Sequence, residues 1–334
     1  MIYDVDLNSA AYLPAAGIVE LACLAEEAGF RAYWKGQTNS ADPVVMLGAI
    51  AARTRTIQIG TAVSHIFGSS PVALGVQAAT LQDLSGGRFL LGLGVGNRTV
   101  AAWHSGSFDR PLCRAREYLE IVRKTAAGER VEYEGEIYST GKRFQLAWKP
   151  SHPAFPIYLA ALGPRMSRLA GRIADGVFLH MTTPAMVREI AARVREGAQS
   201  AGRDPDTLEI IAKVRVCLNP DRAVARARLR QVLTFYNIAD RYTEMLRASG
   251  FDAEIAAVQE AFRAGGYKAA VRSLTDDFLD RLPAIAATSI EEVRERLLPF
   301  IEAGVTRMVI PYTPSSEPAV EDARRFLEAW EKTS

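Results

Sequence analysis

Apolar and polar positions along this chain alternate between two periods. Eight short apolar runs predict strands, at 2–7, 30–35, 56–63, 88–95, 156–161, 176–180, 208–218 and 306–311. TIQIGTAV (56–63) and RFLLGLGV (88–95) show almost no polar face, the pattern of strands buried on both sides. Helical spacing follows nearly every strand, at 14–28, 43–53, 71–84, 109–127, from Pro164 onward, at 184–201 and at 318–330. Gly29 is a suitable stop for the first helix. Asp42 stands as N-cap before Pro43, whose missing N–H is no loss in a first turn. Two stretches break the rhythm. Alternation around Gly135 and Gly141 predicts a small antiparallel excursion at 131–147. Residues 220–300 read as helical with no strand: an insertion at 220–283, then a helix whose Ser289 and Glu292 form a capping box.

Buried strands alternating with helices give either an open doubly wound sheet or a closed barrel. Eight units favour a (β/α)₈ TIM barrel, and 334 residues leave room for the helical insertion between strands seven and eight. No linker divides the chain, so 1–334 is expected to be one domain. In such a barrel the chemistry lies at the C-terminal ends of the strands. That rule selects Asn8, Gln37, Ser64, His65, Gly96, Asn97, Ala161 to Gly163, His180 to Thr183, Asn219 and Tyr312.

Charge narrows the partners. Forty basic against 38 acidic residues leave a net charge of +2, which is no footprint for nucleic acid. The basic run RAVARARLR (222–230) has apolar residues at helical spacing and reads as a solvated helix face, with attraction of an anionic ligand as the sharper alternative. Cys23, Cys113 and Cys217 make no CxxC pair, which fits a reducing cytoplasm. The N-terminus lacks a signal-peptide pattern, and no apolar run is long enough to span a membrane. The expectation is a cytoplasmic protein acting on a small molecule.

Gly92, Gly94 and Gly96 in GLGVGN follow a strand, but a dinucleotide fingerprint needs a sixth-position glycine where Asn97 stands, and the next clear helix is expected only at 109. A strand end approached closely by a flat ligand is the better reading. Ala160 to Gly163 followed by Pro164 can form an anion site on free helix amides, helped by Arg165, or simply a turn. GEIYSTGK around Gly135 has the wrong spacing for a phosphate loop, and Arg143 stands where Ser or Thr is required. No two histidines have metal spacing, and strand-end carboxylates are scarce, so no metal is expected. His65 and His180 fall at strand ends and would converge on one face. Trp34 more readily fills the barrel than stacks on a ligand. Tyr236, Arg241 and Tyr242 would reach a substrate only if the insertion folds over the mouth.

QAATLQDLSGGRFLLGLGVGN (77–97) and AALGPRMSRLAGRIADGVFLH (160–180) closely resemble two signatures of the luciferase-like superfamily, the second in the form found in its coenzyme F420-dependent branch, which includes methylenetetrahydromethanopterin reductase. GFRAYW and TRTIQIGTAV extend the likeness, which covers roughly 14–97, 156–217 and the last strand–helix unit. The resemblance implies a cofactor ring in the barrel mouth and a non-prolyl cis peptide at Ala62-Val63. It places Gly94, Gly96 and Asn97 at the ring's border, and Ala160, Ala161, Leu162 and Gly163 at the phosphate linkage. Lys35, Arg98 and Arg165 become candidates for the anionic tail.

F420 is favoured over FMN because no Arg closely follows strand four and because the AALGP segment is similar to the F420 reductases. One departure matters. Many F420 members carry an acidic residue followed by His after strand two, a catalytic pair in the sugar-oxidising dehydrogenases. This chain has Gly36-Gln37-Thr38 there. The expectation is a reductase delivering hydride to a C=N or C=C bond, with Gln37 bonding ring or substrate and His65 or His180 supplying a proton. The alternatives are an FMN-dependent monooxygenase and a non-catalytic cofactor-binding relative. Family members are often dimers, so a homo-oligomer is expected.

Overall fold

The eight expected apolar runs become the staves of one closed barrel. The computed structural model describes residues 1–7, 13–104, 106–238 and 240–333, with only the backbone of Asp240 and Arg241; Asn8 and the Arg241 side chain therefore lie outside the described residues. The first half of the chain forms β1 (Ile2–Asp6), α1 (Ala15–Glu27), β2 (Ala32–Lys35), α2 (Pro43–Arg53), β3 (Gln58–Thr61), β4 (Ser64–His65), α3 (Pro71–Leu84), β5 (Phe89–Gly94), α4 (Arg98–Trp103) and α5 (Pro111–Ala126). Then come β6 (Ile157–Ala160), α6 (Pro164–Ile173), β7 (Gly176–His180), α7 (Pro184–Ser200), β8 (Glu209–Lys213) and β9 (Arg215–Leu218). The last third holds α8 (Arg222–Ile238), α9 (Asp240–Arg247), α10 (Asp252–Ser273), α11 (Asp276–Arg281), β10 (Ala284–Ala287), α12 (Ile290–Glu302), β11 (Arg307–Pro311) and α13 (Ala319–Glu331). The ring β1-β2-β3-β5-β6-β7-β8-β11 closes with every pair parallel, so the fold is a (β/α)₈ barrel.

Local chemistry explains the helix starts. Asp42 Oδ1 accepts from the N–H groups of Val44 and Val45, as its position before Pro43 predicts. Ser289 accepts from Glu292 N–H, but the Glu292 carboxylate reaches Thr288 N–H instead of closing the box on Ser289. The antiparallel excursion is present as bridges between Val131 and Phe144 and between Glu134 and Ser139. Its tip is clamped onto α5 by buried Glu117, which accepts from Glu136, Ile137 and Tyr138 N–H.

Three expectations are corrected. The long seventh strand breaks at Val214 into β8, which pairs within the barrel, and β9, whose ladder partner is β10 although Val216 still bridges to Tyr312 just beyond β11. The stretch expected to lack strands contains β10, which pairs with β9 from Ala284↔Arg215 to Ala287↔Leu218. Its sequence, AIAA, has weak strand propensity and is drawn into a ladder by the edge β9 offers. Asn97 is not in a long loop: its side chain accepts from Val100 N–H and caps α4, a six-residue helix.

The barrel interior is filled in layers. At the bottom, Asp4 on β1 accepts from Trp34 Nε1 and pairs with Arg307 on β11 at 2.8 Å, while Arg307 also donates to Gln58. Burial works to lower the pKa of the Arg307 guanidinium, and Asp4 first, then Glu209, hold it above its ordinary value. Above it, Trp34, Tyr158 and Phe178 pack edge to face with Ala32, Leu90, Ile211 and Val309. Trp34 is thus a core residue; a Cβ on Gly60 would lie 2.4 Å from its ring. The arginines of the basic run face carboxylates of this chain: Arg222 pairs with Glu292, Arg226 with Asp276 and Asp280, and Arg230 with Asp276. No helix among the described residues is long and apolar enough to cross a membrane.

Candidate active site at the barrel mouth

The floor of the mouth is built where β3 ends. The Ala62-Val63 peptide is cis, as the resemblance implies. Its groups are held from neighbouring strands: Ala62 N–H donates to Lys35 O at 2.9 Å, Gln37 N–H to Val63 O at 3.3 Å, and Lys213 Nζ to Ala62 O at 3.3 Å. Beside it, a Cβ on Gly92 would lie 2.1 Å from Thr61 O, and one on Gly94 would lie 2.6 Å from Val63 Cγ2. β5 therefore needs glycine at both places for Val63 to lie across it. The Ala160 methyl lies 3.5 Å from that same point at Gly94, so Val63, Gly94 and Ala160 make a continuous surface of small residues.

His65 and Gln37 form one wall. Gln37 Oε1 accepts from His65 N–H at 2.7 Å, and His65 Nε2 lies 3.0 Å from Gln37 O. A carbonyl can only accept, so the imidazole proton sits on Nε2. Nδ1 is then a bare acceptor; it is buried, has no partner and faces Gly96, whose added Cβ would lie 3.4 Å from it. Burial lowers the His65 pKa below its ordinary value, against the bond to Gln37, which raises it.

His180 ends β7 on another wall. Its ring meets Tyr236 at 4.9 Å and Tyr242 at 5.8 Å, both edge to face, so α8 and α9 fold over the mouth. Its Nδ1 is buried without a partner. Burial first, then the charges of Lys213 and Arg215, push its pKa well below the ordinary value. Both histidines are neutral at neutral pH.

The remaining candidates separate. Ala160, Ala161, Leu162 and Gly163 lead into α6, whose N-cap Gly163 makes no side-chain cap and whose added Cβ would meet nothing within 4 Å. No side chain caps the first amides of this turn, which leaves them available to an anion. Arg165, by contrast, is exposed on the outer side and lines a shallow cleft of about 450 Å³ with Cys113, Arg116, Arg168 and Arg172. Buried Lys35 donates to Gly36 O and Ser40 Oγ, inside its own loop. Arg98 is exposed on α4. Tyr312 turns away from the mouth to Asp322 at 2.5 Å, and Asn219 bonds Ser315.

Sequence reasoning passed over three charged residues here. Asp6 at the end of β1 and Lys213 at the end of β8 form a buried ion pair at 2.8 Å beneath the cis peptide. Arg215 lies two residues beyond Lys213. The signal was present in IIAKVRV, where two cations alternate with apolar residues in a buried strand and must face the barrel axis.

A smooth floor, two unpartnered imidazole nitrogens and a helix start without a side-chain cap fit a planar cofactor ring with an anionic arm. The family model described as luciferase-like monooxygenase matches residues 3–307. This chain belongs to that family. A 5,10-methylenetetrahydromethanopterin reductase of Archaeoglobus fulgidus is 30% identical over 305 residues, covering 89% of this chain and 90% of the relative. A Mycobacterium tuberculosis protein with the provisional name coenzyme F420-dependent oxidoreductase Rv3520c is 31% identical over 334 residues, covering 92% and 94%. Among solved structures, the coenzyme F420-dependent tetrahydromethanopterin reductase of Methanopyrus kandleri superposes with a TM-score of 0.84 over 98% of this chain and 97% of that one, at 23% identity. That likeness concerns the fold.

Proposed function

We propose that this luciferase-like protein is a coenzyme F420-dependent reductase that transfers hydride to a C=N or C=C bond of a small organic substrate. Ala62, Val63, Gly94, Gly96 and Ala160 would border the cofactor ring, and the turn from Ala161 to Gly163 would receive its phosphate linkage. When bound and reduced, F420 supplies the hydride.

The observation that carries the direction of the reaction is the state of the two imidazoles and of Gln37. Oxidising an alcohol needs a base for the hydroxyl proton. Here burial weakens both histidines as bases, and the place after β2 holds Gln37, which cannot take a proton and whose carboxamide is tied to His65. Reduction asks less of the side chains. A cationic C=N carbon that accepts hydride becomes a neutral amine with no proton transfer. A neutral acceptor needs one further proton, which comes from water. The His65 N–H is committed to Gln37 O, so His65 could pass that proton on only after taking it up at Nδ1. The unpartnered Nδ1 of His180 is the other imidazole nitrogen at the mouth. Gln37 acts as the residue that orients His65. The name of the Mycobacterium tuberculosis relative supports F420 over FMN.

The test is turnover in both directions. Reduced F420 should be consumed with cyclic imines, iminium ions or enones, and oxidised F420 should give little turnover with primary and secondary alcohols. Brisk alcohol oxidation would overturn the reductase reading. Oxygen uptake with reduced FMN would transfer the chain to monooxygenase chemistry.

A further inference from the structure

Arg215 is a buried cation whose charge is not matched. It is 2% exposed. Nη1 donates to Thr313 Oγ1 at 3.2 Å, while Nε and Nη2 have no hydrogen-bond partner. Among the described residues no carboxylate pairs with it. Of the other buried cations, Arg307 is matched by Asp4 and Lys213 by Asp6, while Lys35 has Gly36 O and Ser40 Oγ as partners for its ammonium. A guanidinium held out of water without a counter-charge is strongly unfavourable, and folds retain such groups where a ligand completes them.

Its position says which ligand. Ile211 and Lys213 face the barrel axis, and the two-residue period of an extended chain carries Arg215 to the same side, one level above the Asp6–Lys213 pair. On the adjacent strand, His180 is in register with Lys213. His180 Nδ1 and the fully buried Thr182 Oγ1 are also unpartnered. Three orphaned polar groups therefore stand at the ends of β7 and β8. In the ring of eight strands β8 lies opposite β3, which carries the Ala62-Val63 floor. A cofactor ring on the β3–β5–β6 side leaves the β8 wall to the second reactant, beneath Tyr236 and Tyr242.

We propose that Arg215, with Thr182, binds an anionic group, carboxylate or phosphate, of the hydride-accepting substrate. This rests on the reductase reading for the word acceptor, while the anion site itself stands on the orphaned guanidinium. Arg215 is here a substrate-binding residue.

The experiment uses the full chain without cofactor, with inorganic phosphate and succinate as probes and sodium chloride at equal ionic strength as control. Thermal unfolding of wild type should shift upward with either probe in a dose-dependent way. Arg215→Met should unfold at or above the wild-type midpoint, because an unmatched charge has been removed, and should bind the probes about tenfold more weakly or worse. Arg215→Lys should retain part of the affinity and serves if the methionine variant misfolds. No anion-specific shift in wild type, or an equal shift in Arg215→Met, would overturn the proposal. A parallel F420 titration separates the sources of the anion: unchanged F420 affinity in Arg215→Met supports the acceptor, and a tenfold loss assigns Arg215 to the cofactor tail and overturns it. If F420 binds to no variant, the cofactor reading alone fails, and the phosphate and succinate arms still decide on Arg215.

Discussion

His65 and His180 show how residue-level electrostatics constrain the chemistry. An imidazole in an unfolded chain gains a proton below about pH 6.5. In the folded barrel, burial and the charges of Lys213 and Arg215 oppose that proton on His180. As pH falls below 6.5 the unfolded state binds more protons than the folded one. Stability is therefore full above that value and declines below it. His180→Phe should flatten the decline between about pH 6.5 and 5, read from urea midpoints at each pH. An unchanged slope would show that His180 is not the group responsible. The two histidines were legible in the sequence because each lies at the end of a predicted strand, His180 as its last residue and His65 two residues beyond it. Asp6, Lys213 and Arg215 were not, since what makes them notable is pairing, or its lack, between positions some two hundred residues apart.

At the scale of elements, the hairpin on the flank of the barrel is fastened to α5 by one side-chain clamp. Glu117 on α5 gathers three amides of the 131–144 hairpin, and those bonds draw its pKa down to about 2 despite burial. Because the folded value lies below the unfolded one, this contribution is present above about pH 4.5 and fades as pH falls toward 2. Glu117→Gln should cost about 2 kcal/mol and speed hydrogen exchange at Glu136, Ile137 and Tyr138. Unaltered exchange at those amides would contradict the clamp. The main strands were readable because burial on both faces leaves long apolar runs. α4 and β10 escaped for opposite reasons: α4 is a single capped stretch of six residues, and the Ala-rich β10 depends on β9 for its conformation.

Across the whole molecule, the barrel closes where its first strand meets its last. Asp4 and Arg307 join β1 to β11 at the bottom, far along the chain from one another but adjacent in the ring. Removing the carboxylate leaves the buried guanidinium only Glu209, at 3.7 Å, as a counter-charge. Asp4→Asn should therefore cost about 3–5 kcal/mol, measured as a fall in the urea midpoint, with cofactor affinity at the opposite end little changed. Polar side chains at the bottom secure closure, while at the top, beside the Asp6–Lys213 pair, His65, His180, Thr182 and Arg215 each keep at least one unpartnered polar atom. That asymmetry is what a barrel with its ligands at the C-terminal ends requires. The central claim is that the unsatisfied end receives F420. It is tested most directly by fluorescence titration of the purified protein with F420 and, separately, with FMN. Tight binding of F420 with weak binding of FMN is the predicted result; tight binding of FMN with weak binding of F420 would contradict the account.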